Sequence, residues 1–149
     1  MKKVKILLYT LIFAGLFFIP LESVEIANLE PVQGVWVYEE NGNIVLETDT
    51  EAKGIGITVA EAMSDMKEHS PGVIYLDTAQ YLFVSETAQE QISALQPYLK
   101  ASVRLCKWEG QGSLKNAIEY ADAHKVGVKL SKWESVGNLP ELPTKIGNK

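Results

Sequence analysis

Val35-Trp36-Val37-Tyr38 and Ile44-Val45-Leu46 are two apolar runs rich in β-branched and aromatic residues, divided by Glu40-Asn41-Gly42-Asn43. Runs of this kind form strands, and Asn-Gly supplies the positive φ angles of a tight turn, so residues 35–50 predict a hairpin. The pattern then changes period. Val59, Ala62, Met63 and Met66 recur at i, i+3, i+4 and i+7, which is one buried stripe of a helix. Thr58-Val59-Ala60-Glu61 matches T-x-x-E, a capping box in which the Thr hydroxyl accepts the N3 amide and the Glu reaches back to the cap. His69-Ser70-Pro71-Gly72 ends the helix, because proline cannot continue it.

Beyond that point short elements alternate. VIYL, 73–76, predicts a short buried strand, Asp77-Thr78-Ala79-Gln80 a turn, and YLFVS, 81–85, another strand. Thr87-Ala88-Gln89-Glu90 repeats the capping box and predicts a helix with Ala88, Ile92, Leu95 and Leu99 inward, disturbed near Pro97. SVRLCKW, 102–108, reads as a strand, and Gly110-Gln111-Gly112 as a loop. Ser113 caps a third helix with Leu114, Ala117, Ile118 and Ala121 inward. VGVKLSKW, 126–133, alternates like a half-exposed strand. The order is β-β-α-β-β-α-β-α-β. It predicts an α+β or mixed α/β fold: one domain over 35–136, a mixed sheet of five or six strands, and three packed helices. Residues 23–34 read as a short linker and 137–149 as an irregular tail.

The first 22 residues follow a different logic. Lys2, Lys3 and Lys5 precede Ile6–Leu21, a run without any charge, and Glu22, Glu25 and Glu30 follow it. This is an export segment, with its lysines held on the cytoplasmic side. Sixteen residues of helix span about 24 Å against a hydrocarbon core of about 30 Å. That is short for a spanning helix, but no small-x-small cleavage site stands out. A retained anchor over 6–21, with the body outside the cytoplasm, is therefore the expectation; secretion after cleavage is the alternative.

Removing Lys2, Lys3 and Lys5 leaves eleven Lys and Arg against nineteen Asp and Glu, a net charge of −8 for residues 22–149. An acidic body of this kind argues against nucleic acid as a partner, and against adhesion to anionic lipid through charge. The single cysteine, Cys106, excludes an internal disulfide and reads as a small buried apolar residue of a strand.

Candidate chemistry is sparse. Lys53-Gly54-Ile55-Gly56-Ile57-Thr58 reads as a loop entering a helix, and it could grip an anion. It lacks the third glycine of a dinucleotide loop and the Gly-Lys-Ser/Thr ending of a phosphate loop, so shaping the helix entry is the better reading. Lys53, Gly54, Gly56 and Thr58 remain the weaker, ligand-binding alternative. Thr58, Glu61, Thr87 and Glu90 are structural caps. Asp77 ends a strand, where α/β proteins place catalytic or metal-binding acids, but Asp-Thr also starts turns. The acids that could join it, Asp49 and Glu51, are too distant in sequence for contact to be inferred. His69 and His124 fall at helix ends, where histidine complements the helix dipole. Neither sits in a metal-ligand cluster, and a Cys106–His thiol hydrolase lacks a loop to expose the nucleophile. Trp36, Trp108 and Trp133 are strand residues, expected to pack against the core or a neighbouring face. No catalytic residue, metal or cofactor is expected.

The order of these features resembles the first domain of the Ger(x)C-type spore germination proteins, membrane-anchored subunits of germinant receptors. VEIANLEPVQGVWVYEENGNIVL resembles that family's linker and first strands. GIGITVAEAMSDM resembles its G-x-T-x-x-E-A helix start through Gly56, Thr58, Glu61 and Ala62, and VIYLDTAQYLFVSETAQ resembles its paired strands and following helix. The likeness spans Val24 to Glu109. Family members carry a lipidated cysteine behind the signal and further domains, and this sequence has neither. The resemblance implies a non-enzymatic, membrane-tethered extracytoplasmic module with protein partners in a sporulation or germination assembly.

Overall fold

The computed structural model describes residues 29–144 and Ile146. The expected anchor, residues 1–22, lies outside the described residues, as does the linker before Leu29. The chain runs β1 (Leu29–Pro31), β2 (Gly34–Glu40), β3 (Asn43–Thr48), β4 (Lys53–Gly56), α1 (Val59–His69), β5 (Val73–Tyr75), β6 (Tyr81–Val84), α2 (Ile92–Leu95), β7 (Arg104–Lys107), α3 (Leu114–Ala123) and β8 (Val128–Lys129). Six strands form a mixed sheet in the order β4-β3-β2-β6-β7-β8. β2, β6 and β7 run parallel, and β3, β4 and β8 pair antiparallel with their neighbours. β1 and β5 pair separately as a two-stranded parallel ribbon. The fold is α+β, as the pattern predicts.

Strand alternation gives the sheet two apolar faces. One face carries Val35, Val37, Ile44, Leu46, Leu82, Val84 and Leu105, and it is covered by α1 and the segment around α2. The other carries Tyr81, Phe83, Cys106 and Trp108 and is covered by Ala117, Ile118 and Ala121 of α3. The helical stripe of α1 is buried as its period requires: Val59, Ala62, Met63 and Met66. Each large apolar side chain buried in this way contributes about 1.5–3 kcal/mol. The β2–β3 turn is the Asn-Gly turn, with φ 52° at Asn41 and 80° at Gly42. Both residues are left-handed, the requirement of a two-residue type I′ hairpin.

KGIG is not a loop. Lys53–Gly56 is β4, an edge strand paired antiparallel to β3. Its glycines face α1, and the contact is close: a Cβ on Gly54 would fall 2.6 Å from Met66 Cβ, and one on Gly56 would fall 2.6 Å from Glu61 Cβ. Bare backbone here lets the helix lie directly on the strand that precedes it.

Other departures have local causes. The expected linker is ordered from Leu29, because β1 pairs with β5 and Val32 enters the core. β5 is neither in the main sheet nor buried: Val73 is 50% exposed and Tyr75 40%, with Ile74 alone turned inward. Its three apolar residues in succession conceal which face is wet. The helix expected over 87–99 is broken into 3-10 turns at Glu86–Gln91 and Gln96–Tyr98 around the one α-turn of α2, with Pro97 opening the second. Thr87 and Glu90 are not its capping box. Ser85 is the N-cap, it makes no side-chain cap bond, and its hydroxyl pairs with that of Thr87 at 3.0 Å. The strand expected over 126–133 is only Val128–Lys129, after which Leu130–Ser135 coils as 3-10 helix. The tail is tied down in part: Leu142 is buried, and the Lys107 amide donates to the Pro140 carbonyl at 2.8 Å.

Gly54→Ala is expected to lower stability by about 1–3 kcal/mol through overpacking against α1, and Thr58→Ala by about 0.5–2 kcal/mol through loss of a cap. Denaturant midpoints of the two variants check both. An unchanged midpoint for Gly54→Ala would mean that α1 does not rest on β4.

Candidate functional site

The helix entry is built as the sequence indicates, with one change. Thr58 Oγ1 accepts from the Glu61 amide at 3.2 Å. Glu61 Oε2 accepts from the amide of Ile57 at 2.9 Å, one residue before the cap rather than at it. Asp65 Oδ2 accepts from the Ile55 amide at 2.9 Å. Two donors that an anion would need are therefore already held by the protein's own carboxylates.

Lys53 does not converge with Gly54, Gly56 and Thr58 either. Side chains alternate along β4, so it projects from the opposite sheet face. There it donates to Tyr38 Oη at 3.0 Å and pairs with Glu47 at 3.0 Å, while Tyr38 donates to Glu47 at 2.8 Å. The hydrogen bonds to Tyr38 and then Glu47 raise the Lys53 pKa and keep the ammonium charged. Burial, the largest effect on Tyr38, keeps its phenol neutral. This is a closed network with no charge left over.

A cleft of about 330 Å³ lies beside it, lined by Glu47, Asp49, Lys53, Ser113 and Lys115 among others. Its polar groups are largely occupied. Asp49 Oδ1 accepts the amides of Gln33 at 2.8 Å and Gly34 at 3.0 Å, stapling the end of β3 to the start of β2. Ser113 accepts from the Asn116 amide and so caps α3.

The reactive candidates are likewise placed in structural roles. Cys106 is fully buried on β7, and burial pushes its thiol up to about 12, which disfavours the thiolate at neutral pH. His69 and His124 each hydrogen-bond the carbonyl four residues back, at 3.0 and 2.9 Å. The carbonyl bond and then the Asp65 carboxylate raise the His69 pKa. Any stability gained from protonated His69 is present below its ordinary pKa of about 6.5 and is lost as pH rises through the raised value. Asp77 is exposed in a 3-10 turn, Leu76–Thr78, whose Thr78 hydroxyl reaches the carbonyls of Val32 and Tyr75, both at 2.9 Å. Among the described residues no three His, Cys, Asp or Glu side chains come together.

Trp36 stacks on Tyr38 at 4.0 Å between ring centroids and lies 4.9 Å from Trp108. Trp133 packs against the core on the other side of the sheet. The three do not form one exposed aromatic patch, and their indole N–H groups have no protein partner. Packing rather than polar anchoring holds them.

A few large apolar side chains are left exposed among the described residues. Ile55 is 46% and Ile57 74% exposed at the end of edge strand β4. Val73 and Tyr75 are exposed on β5, at the other end of α1. Sequence reasoning missed both places. Ile55 and Ile57 alternate with glycine, a strand signal hidden by the resemblance of G-x-G to a loop.

No protein-family model, no curated protein and no solved structure matches the chain.

Two outcomes are expected. Cys106 should stay unreactive toward Ellman's reagent at pH 8 until denaturant unfolds the domain; rapid reaction of the native protein would contradict the burial. Calorimetric titration with phosphate or ATP should give no saturable heat, and micromolar binding would show that the carboxylates yield the Ile55 and Ile57 amides.

Proposed function

We propose that the chain is a non-enzymatic interaction module, tethered to a membrane by residues 6–21 with its body on the extracytoplasmic side. One observation carries the interaction. Two isoleucines, Ile55 and Ile57, stand exposed at the free edge of the sheet, while Asp65 and Glu61 beside them are held by main-chain amides and Lys53 is paired with Glu47. Exposed branched apolar side chains rimmed by paired polar groups suit a protein partner. The Glu61 and Asp65 carboxylates hold the amides of Ile55 and Ile57, which guards this edge against indiscriminate strand addition. A partner would therefore be recognised through side chains rather than through main-chain pairing. The tether rests on the uncharged run Ile6–Leu21 behind three lysines. The germination assembly implied by the resemblance rests on Gly56, Thr58, Glu61 and Ala62 and the stretches around them.

The test is a photo-crosslinking amino acid at position 57 of the full chain, expressed in its own cells. A discrete protein adduct is expected from position 57, and none from exposed position 134. Ile57→Asp should abolish the partner's co-purification without moving the denaturant midpoint. Absence of any adduct from position 57 in membrane-associated protein would overturn the interaction reading.

A further inference from the structure

A parallel pair of strands standing alone is unusual, because parallel sheets are normally covered on both faces and two strands alone are marginal. The β1–β5 ribbon is covered on one face only. Its register pairs Leu29 with Val73, Glu30 with Ile74, and Pro31 with Tyr75. Partners in register share a face and faces alternate along each strand. Ile74 turns into the core, and Glu30 on the same side accepts from the Ser70 hydroxyl at 3.5 Å. The outward face is thus Leu29, Pro31, Val73 and Tyr75. It is apolar throughout, it carries no charge, and three of its four residues are exposed.

Position along the chain says what meets this face. Only residues 22–28 separate the uncharged run ending at Leu21 from Leu29, the first residue of the ribbon. Fully extended, seven residues reach about 25 Å. The ribbon is therefore leashed to the point where the chain leaves the bilayer. Four partly exposed side chains fall well short of the roughly 800 Å² per partner of a stable protein interface. A tyrosine beside small apolar residues, with no charge among them, suits the boundary between headgroups and acyl chains. We infer that the outward face of the β1–β5 ribbon lies on the lipid interface beside the tether and orients the domain there. This rests on the tether proposed above. α1, eleven residues and about 16 Å long, then carries Ile57 away from the membrane, since the ribbon follows its C-terminus and Ile57 precedes its N-terminus.

The test uses the full chain in phosphatidylcholine liposomes. Single cysteines replace Val73 or Tyr75, with Ile57→Cys and Glu134→Cys as controls, and each carries a nitroxide spin label. The native Cys106 is buried and does not compete. Collision with oxygen, which partitions into lipid, is compared with collision with a water-soluble nickel chelate. The inference expects a several-fold higher oxygen-to-nickel ratio at 73 and 75 than at 57 and 134. Equal ratios at all four sites, in protein that floats with the liposomes, overturn the docking and leave the tether intact. Protein that fails to float overturns the tether and the docking with it. Labels at 73 and 75 that neither reagent reaches overturn the docking in favour of cover by protein, whether this chain or a second copy.

Discussion

The contact between α1 and β4 is the constraint on which the rest of the fold leans. A helix lies on an edge strand only as closely as the strand's side chains allow, and β4 turns two glycines toward it. The approach lets Ala62 and Met66 reach the sheet, and it brings Asp65 and Glu61 within hydrogen-bonding distance of the Ile55 and Ile57 amides. One arrangement therefore buries a stripe of α1, satisfies donors on an open sheet edge and blunts that edge. Larger residues at 54 or 56 would clash with α1 and push it off the strand.

The same economy explains the polar side chains. Asp49 looks like a candidate acid in the sequence, yet it holds two backbone amides where β2 begins. Lys53, the one cation of KGIGIT, is tied to Tyr38 and Glu47 across the neighbouring strands. In a body of net charge −8, a cation fully engaged with an acid does little to attract anions from solution. Both histidines bond carbonyls of their own helix, and the cysteine is sealed in the sheet. These particular groups hold the domain together.

Much of this was legible from residues alone, and the failures share one cause. The Asn-Gly hairpin, the α1 stripe with its Thr58 cap and the α3 stripe with its Ser113 cap are local patterns, and local geometry decides them. The misses needed knowledge of a distant neighbour. Whether VIY is buried depends on β1, forty-odd residues upstream. Whether KGIG is loop or strand depends on its pairing with β3. Thr87-x-x-Glu90 has the letters of a capping box, but Ser85, the residue just after β6, starts the turn before Thr87 can. A motif of four letters cannot report where the preceding strand releases the chain. The candidate ligand residues are not brought together: alternation along β4 sends Lys53 to one face and the glycines to the other, so a set contiguous in sequence is divided in space.

Two apolar surfaces at opposite ends of one helix give the domain a direction. The ribbon is placed by its covalent nearness to the uncharged N-terminal run, and β4 is placed by α1, which is rigid and short. A tether alone would leave the body free to tumble on a leash of seven residues. A second, weak contact beside the proposed leash would restrict that motion at little cost, because such a tether would already confine the face near the bilayer and a modest apolar area would then suffice. Orientation of this kind would hold Ile55 and Ile57 in a fixed presentation, so that a partner on the same membrane need not order the domain as it binds. The acidic surface works in the same sense: it disfavours close approach of the rest of the body to anionic headgroups, and leaves the uncharged ribbon as the side that can lie against lipid.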